Sequence, residues 1–205
     1  MGIEKKILVT GTGRSGTSFL MHLLTELGFN TGYKKEEISG ELNKYEGLNA
    51  GIEHPINSGR WIGADIVKSP EYAKIEVLEK ILSTNDVIDI IIPIRNLEST
   101  AKSRENCFEN VDHNYGGYWL NAKSLEEQEN THARLIYNLV EYLTDKEIRF
   151  TMIAFPRMAM DSKYLFEKLK SVKGLQENIN NYMLNNYKPF KESFANVADI
   201  KKVRF

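Results

Sequence analysis

The chain has 205 residues, of which 41% are hydrophobic and 27% charged, with a formal net charge of −1. This length favours one domain spanning residues 1–205 with a sizeable core, and the balanced charge gives no reason to expect nucleic-acid binding. Because Cys107 is the only cysteine, an intrachain disulfide is excluded, and because no signal peptide or membrane span is recognisable, we expect a cytoplasmic protein.

The first predicted unit is a strand, a glycine-rich loop and a helix within the first 28 residues. The apolar run at 7–9 predicts a buried strand, and the segment GTGRSG at 11–16 predicts a tight turn. The leucines at 20, 23, 24 and 27 have the spacing of the buried face of a helix, which Gly28 is suited to end in the left-handed conformation. This order is typical of phosphate-binding sites, because loop N–H groups and a helix N-terminus attract anions.

The loop comes close to the nucleotide-binding pattern G-x-x-x-x-G-K-[ST] but departs from it at one position. Gly11 and Gly16 match, whereas Thr17 stands where the lysine is required, and a cation appears inside the loop as Arg14. Enzymes that hydrolyse nucleoside triphosphates need that lysine on the β- and γ-phosphates. The sequence therefore favours a different anion.

The next segment, 30–58, is polar and lacks a clean period, which predicts a long loop of functional interest. A second strand is predicted at 61–67, so that Lys68 lies at its carboxyl end. Ser69-Pro70-Glu71 then has the pattern of a helix start. The most apolar stretch, 87–94, predicts a central parallel strand, and Asn96 after it is a candidate helix cap.

Residues 124–127 form a capping-box pattern that predicts a long helix with a buried face extending to Leu143. A fourth strand is predicted at 148–154, and Asp161 is expected to cap a helix that ends at Gly174. Beyond that point the sequence is weakly periodic, with one further helix expected around residues 175–184.

Strands that alternate with helices predict an α/β protein, specifically a three-layer P-loop-like fold with a central parallel sheet flanked by helices. Ligands of such sheets bind outside the carboxyl ends of the strands. A cation follows each of the four predicted strands, namely Arg14, Lys68, Arg95 and Arg157. The pattern predicts a site for a ligand with more than one negative charge.

The loop at residues 11–18 closely resembles the 5′-phosphosulfate-binding loop of sulfotransferases. That family also places a serine eight residues after an arginine that follows a central strand, and here Arg95 and Ser103 have that spacing. The segment Lys68-Ser69-Pro70-Glu71-Tyr72 is similar to the K-S-P-x-Y segment of heparan-type members. A weaker similarity covers Phe155-Pro156-Arg157 and the residues after it.

The resemblance implies that 3′-phosphoadenosine 5′-phosphosulfate is the donor substrate and that its sulfuryl group passes to an acceptor hydroxyl or amine. It assigns the 5′-phosphosulfate to Gly13, Arg14, Ser15, Gly16, Thr17 and Ser18, and the 3′-phosphate to Arg95 and Ser103. Arg14 and Lys68 would neutralise the leaving phosphate in catalysis. We expect no metal, since no ligand cluster with metal-binding spacing is present in the sequence.

A hydroxyl acceptor also needs a general base. Several members of the family take a glutamate from between the first helix and the lysine strand, and here Glu46 is the first candidate, with Glu41 and His54 behind it. A glycan is the expected acceptor, because the K-S-P-x-Y segment is closest to members that act on carbohydrate, while oligomeric state cannot be read from the sequence.

Two other functions remain open. One is a nucleotide or small-molecule kinase on the same fold, which the missing lysine disfavours. The other is a non-catalytic module that senses the nucleotide. The C-terminal loop that clamps the 3′-phosphate in cytosolic sulfotransferases is not recognisable in this sequence, which leaves the level of activity open.

Overall fold

The computed structural model describes residues 5–38, 52–108, 119–177 and 186–201. At its centre is a four-stranded parallel sheet in the order β2-β1-β3-β4. The strands are β1 (Lys5–Val9), β2 (Ile66–Lys68), β3 (Asp86–Ile94) and β4 (Phe150–Ala154). Val9 is in register with Lys68 on β2 and with Ile91 on β3, so the loop after β1 lies between the ends of β2 and β3.

Helices cover both faces of this sheet. In chain order they are α1 (Thr17–Glu26), α2 (Gly59–Gly63), α3 (Ile75–Thr84), α4 (Leu97–Phe108), α5 (Leu125–Asp145), α6 (Arg157–Met160), α7 (Ser162–Lys170), α8 (Lys173–Glu177) and α9 (Tyr187–Lys201), and a 3₁₀ turn spans Pro70–Ala73. Helix α9 packs against α1 and α7, while α5 packs against α3 and α4. Within these ranges, no helix combines the length and the apolarity needed to cross a bilayer.

The two faces of the sheet belong to two separate hydrophobic cores. Successive strand side chains point to opposite faces, and accordingly Ile7 and Val9 pack with α1, α7 and α9 whereas Leu8 packs with α3 and α5. On β3, Ile91 joins the first core and Ile92 the second. This confirms the predicted three-layer α/β fold with a central parallel sheet.

The prediction of a second strand at 61–67 is wrong for the first part of that range. Trp61 belongs to the short helix α2, whose N-terminus is capped by Ser58 accepting from the Trp61 N–H at 3.2 Å. The buried Lys6 of β1 donates from Nζ to the carbonyls of Trp61 (2.9 Å) and Ala64 (2.5 Å). This lysine therefore binds the end of α2 to the sheet, and the chain enters β2 only at Ile66.

The predicted caps are confirmed at four positions, the first of which is Ser69, whose Oγ accepts from the Glu71 N–H at 3.2 Å. Asn96 Oδ1 accepts from the Ser99 N–H at 2.9 Å, Ser124 Oγ from Glu127 at 3.1 Å, and Asp161 Oδ1 from Tyr164 at 2.9 Å. The helix expected from Pro70 is divided instead, because Lys74 is extended between the 3₁₀ turn and α3. The helix expected around 175–184 begins earlier, at Lys173, and residues 178–185 lie outside the described ranges. Helix α9 was not predicted.

Candidate functional site

The glycine-rich loop leads directly from β1 into the N-terminus of α1. Gly16 is the N-cap residue with a φ of 91°, and Thr17 begins the helix. Arg14 is also left-handed, with a φ of 72°, which is uncommon for a residue with a side chain. Ser15 is buried and donates from Oγ to the Thr12 carbonyl at 2.7 Å, so its hydroxyl stabilises the loop itself.

The loop is fixed to the junction of β3 and α4 by two hydrogen bonds. Arg14 Nε donates to Ser103 Oγ at 3.1 Å, and Arg95 Nη1 donates to the Arg14 carbonyl at 3.1 Å. The Arg95 guanidinium also lies 5.2 Å from the centre of the Phe155 ring. The structure thus brings together Arg14, Arg95 and Ser103, three residues that the resemblance assigns to the two anion sites of one donor.

Several positively charged side chains lie close together in this cluster. Burial, and then the neighbouring Arg14 guanidinium, lower the pKa of Arg95 below its usual value. Arg104, which follows Ser103 on α4, lies so close to the loop that a Cβ on Gly13 would be 2.5 Å from its Nη1 atom. Since a desolvated group of like charges favours an added anion, this edge of the sheet is suited to bind one. The sequence reasoning missed Arg104, although its position one residue after Ser103 was a usable signal.

Lys68 lies on the other side of the loop, at the end of β2. Its side chain is 2% exposed, and Nζ donates to Glu53 Oε1 at 2.5 Å and to Ser18 Oγ at 3.3 Å. Ser18 is in the first turn of α1. The structure therefore places the predicted Lys68 and Ser18 side by side and adds a carboxylate that was not predicted.

Glu53 is the functional candidate that the sequence did not reveal. Its Oε1 accepts from Lys68, its side chain is 38% exposed, and its Oε2 is buried without a hydrogen-bond partner. A carboxylate with one oxygen held by a lysine and the other unpaired can accept a proton. The predicted base Glu46 and its alternative Glu41 lie outside the described residues, at 39–51.

The expectation that His54 is a reserve base is wrong, because neither nitrogen of its buried ring is available. Nδ1 accepts from the Lys68 backbone N–H at 3.2 Å, and Nε2 is 2.8 Å from the Thr31 carbonyl oxygen. Burial is the main cause that lowers the pKa of His54 to about 4. The ring is therefore neutral at physiological pH, with its proton on Nε2.

Arg157 does not join the other cations in the way the strand-end pattern suggests. It pairs instead with Asp161, whose Oδ2 accepts from both Nε and Nη2 at 3.2 Å, and its guanidinium lies over the ring of Tyr164. Helix α6 begins at Arg157 itself, and this turn directs the side chain along the exposed surface.

The described part of the chain contains no group of three or more histidine, cysteine, aspartate or glutamate residues placed to hold a metal ion.

Comparisons with known proteins identify no family for this chain. No protein-family model matches it, and no curated protein matches it significantly. Among solved structures, it is similar to the sulfotransferase domain from the Synechococcus PCC 7002 olefin synthase, with 14% identity, a TM-score of 0.48, and coverage of 100% of this chain and 97% of that one. A similarity at this level carries no weight for activity, so a function has to be argued from the residues of the site.

Replacing Gly16 by alanine should distort the loop. The residue has a φ of 91°, and an added Cβ would lie 2.5 Å from Met158 Cε and 2.6 Å from Phe155 Cδ2. The left-handed conformation alone costs a residue with a side chain about 1–2 kcal/mol. We expect Gly16→Ala to lower the free energy of unfolding by at least that amount in urea titrations. Gly59→Ala is the matched control, because a Cβ there meets nothing within 4 Å, and equal stability of the two variants would contradict the loop geometry.

Proposed function

We propose that this protein is a sulfotransferase that uses 3′-phosphoadenosine 5′-phosphosulfate as its donor substrate. The observation that supports the proposal most directly is the contact of Arg14 with Ser103 and of Arg95 with the Arg14 carbonyl. These residues come from two separate motifs that resemble the two phosphate sites of sulfotransferases. The Walker lysine, which a kinase or nucleoside triphosphatase would need, is replaced by Thr17.

The donor has two separate anionic groups, and the site offers a place for each. In our proposal Arg95 and Ser103 bind the 3′-phosphate, while the 5′-phosphosulfate binds the N–H groups of the loop with Arg14, Thr17 and Ser18. Charge-assisted hydrogen bonds of this kind are strong and directional. Burial, and then the Arg14 charge, lower the pKa of Arg95, and this supports the assignment because a phosphate beside two arginines offsets their mutual repulsion.

Sulfuryl transfer would proceed in line, as phosphoryl transfer does. Glu53 would take the proton of the acceptor hydroxyl while the acceptor oxygen bonds to sulfur. The bond between sulfur and the oxygen of the 5′-phosphate breaks, and 3′,5′-bisphosphate leaves with the negative charge on that oxygen. Arg14 and Lys68 would stabilise the charge, since they lie on opposite sides of the loop that binds the phosphate. In this assignment Glu53 replaces Glu46 as the candidate base.

The acceptor that we propose is a carbohydrate hydroxyl. The support for it is the segment Lys68-Ser69-Pro70-Glu71-Tyr72, which resembles that of sulfotransferases acting on glycans. In the structure this segment follows β2, and Lys68 contacts the candidate base. An acceptor bound beside the 3₁₀ turn Pro70–Ala73 would therefore present its hydroxyl near Glu53.

Binding of 3′-phosphoadenosine 5′-phosphate should depend on Arg95 and Ser103. We expect Arg95→Ala to weaken binding about tenfold to a hundredfold, because a hydrogen bond to a charged group contributes about 1.5–3 kcal/mol. Ser103→Ala should weaken it less. Adenosine 5′-phosphate lacks the 3′-phosphate, so its affinity should change little in the Ser103 variant.

Isothermal titration calorimetry of the wild type and the variants measures these effects. Arg157→Ala is the matched control, because Arg157 is exposed and paired with Asp161. The proposal is contradicted if the wild type binds both nucleotides equally weakly, or if the control variant loses as much affinity as Arg95→Ala.

Replacing Glu53 by glutamine should abolish most of the transfer while leaving donor binding intact. The amide cannot take a proton, and general-base catalysis contributes about 10²–10⁴-fold in rate. We expect kcat to fall by this order, with little change in the Kd of the bisphosphate. The measurement is transfer of labelled sulfate to a panel of soluble glycans. Glu36→Gln, an exposed glutamate, should retain wild-type kcat, and full activity of Glu53→Gln would rule out this base.

A further inference from the structure

The segment that carries Glu53 is bound to the end of β2 by its neighbour, His54. The His54 N–H donates to the Lys68 carbonyl at 2.8 Å, and the Lys68 N–H donates to Nδ1 of the His54 ring at 3.2 Å. The two residues thus exchange two hydrogen bonds, one through the backbone alone and one through the imidazole. The imidazole Nδ1 accepts the hydrogen bond that a backbone carbonyl would accept in a pair of strands.

The ring itself is fixed on its other sides. Because Nδ1 accepts, Nε2 carries the proton and donates to the Thr31 carbonyl at 2.8 Å. Tyr33 packs edge-on against the ring with the centres 5.2 Å apart, and the hydroxyl of Tyr72 donates to the His54 carbonyl. A side chain held in this way has one orientation available to it.

The side chain of Glu53 has no comparable anchor, although its backbone carbonyl accepts from the Tyr33 hydroxyl at 3.3 Å. The hydrogen bond that the structure gives its carboxylate is the one from Lys68, and its side chain is 38% exposed. One ion pair of this kind holds the end of a side chain and does not by itself fix the backbone of a loop segment. The short contact between Glu53 and Lys68 therefore requires that the backbone next to it is held by other bonds.

We infer that His54 is a positioning residue, which fastens residues 52–55 to β2 and thereby sets the pairing of Glu53 with Lys68. The catalytic meaning of this pair rests on the proposed sulfotransferase function, whereas the pairing itself does not. His54 needs no contact with donor or acceptor for this role. It acts through Nδ1, which accepts a hydrogen bond from the backbone N–H of Lys68, the residue that pairs with Glu53.

Three substitutions separate this role from simple filling of the interior. His54→Asn keeps an acceptor near the position of Nδ1, whereas His54→Gln places its amide near Nε2 and leaves the Lys68 N–H without its partner. His54→Leu removes both polar contacts. We expect the asparagine variant to resemble the wild type and the glutamine and leucine variants to lose the pairing, since a buried N–H left unpaired is unfavourable.

The test is the rate at which an amine-reactive ester modifies Lys68, followed by mass spectrometry of the peptide that contains it. In the wild type Lys68 is 2% exposed and paired, so we expect slow labelling. Glu53→Gln, His54→Gln and His54→Leu should label severalfold faster, and His54→Asn should label at nearly the wild-type rate. Circular dichroism and the melting temperature verify that each variant is folded.

A second measurement is the effect on catalysis. With labelled donor, His54→Gln should lower kcat toward the value of Glu53→Gln and leave the KM for the donor unchanged, and His54→Asn should restore kcat. Equal behaviour of folded asparagine and glutamine variants, in labelling and in kcat, would overturn the inference. If the wild type neither binds the bisphosphate nor transfers sulfate, the proposed function fails, but the labelling series still decides the role of His54.

Discussion

Two like charges, the guanidinium groups of Arg14 and Arg95, are held near each other at the carboxyl edge of the sheet, and this constraint governs how the site is built. The parallel order of the strands forces it, because β1 and β3 are neighbours and each is followed by an arginine. Arg95 stabilises the loop by donating to the Arg14 carbonyl, while burial, and then the charge of the Arg14 guanidinium, lower its pKa. Neighbouring guanidinium groups of this kind favour the binding of a multiply charged anion.

The glycine-rich loop separates two electrostatic environments. On the β3 side the guanidinium groups of Arg14 and Arg95 lie near each other, and on the β2 side Lys68 is paired with Glu53 at 2.5 Å. Since β1 lies between β2 and β3, this division follows from the strand order. In the function that we propose, the β3 side binds the donor and Glu53 on the β2 side accepts the proton of the acceptor hydroxyl. Lys68 contacts both Glu53 and Ser18 of the donor-binding loop and helix.

The sequence was sufficient to predict the fold and to select Arg14, Arg95 and Ser103 as candidate site residues, because these depend on periodicity, short spacings and the geometry of parallel strands. It was not sufficient for Glu53. The position of that carboxylate depends on hydrogen bonds that His54 makes with residues distant in sequence, and no spacing within the loop encodes them. The same reason explains the boundary of β2, which depends on bonds from Lys6 to carbonyls nearly 60 residues away.

The function that we propose requires this edge of the sheet to bind a 3′,5′-bisphosphorylated nucleoside in preference to a nucleoside triphosphate. Competition between the two ligands for the wild-type protein measures this directly. ATP with magnesium is added to the complex with 3′-phosphoadenosine 5′-phosphate, and the loss of bound bisphosphate is followed. We predict a Kd of about 1 μM or lower for the bisphosphate, which corresponds to roughly −8 kcal/mol, and no displacement by ATP at a hundredfold excess. Tighter binding of ATP with magnesium would contradict the account and favour a kinase.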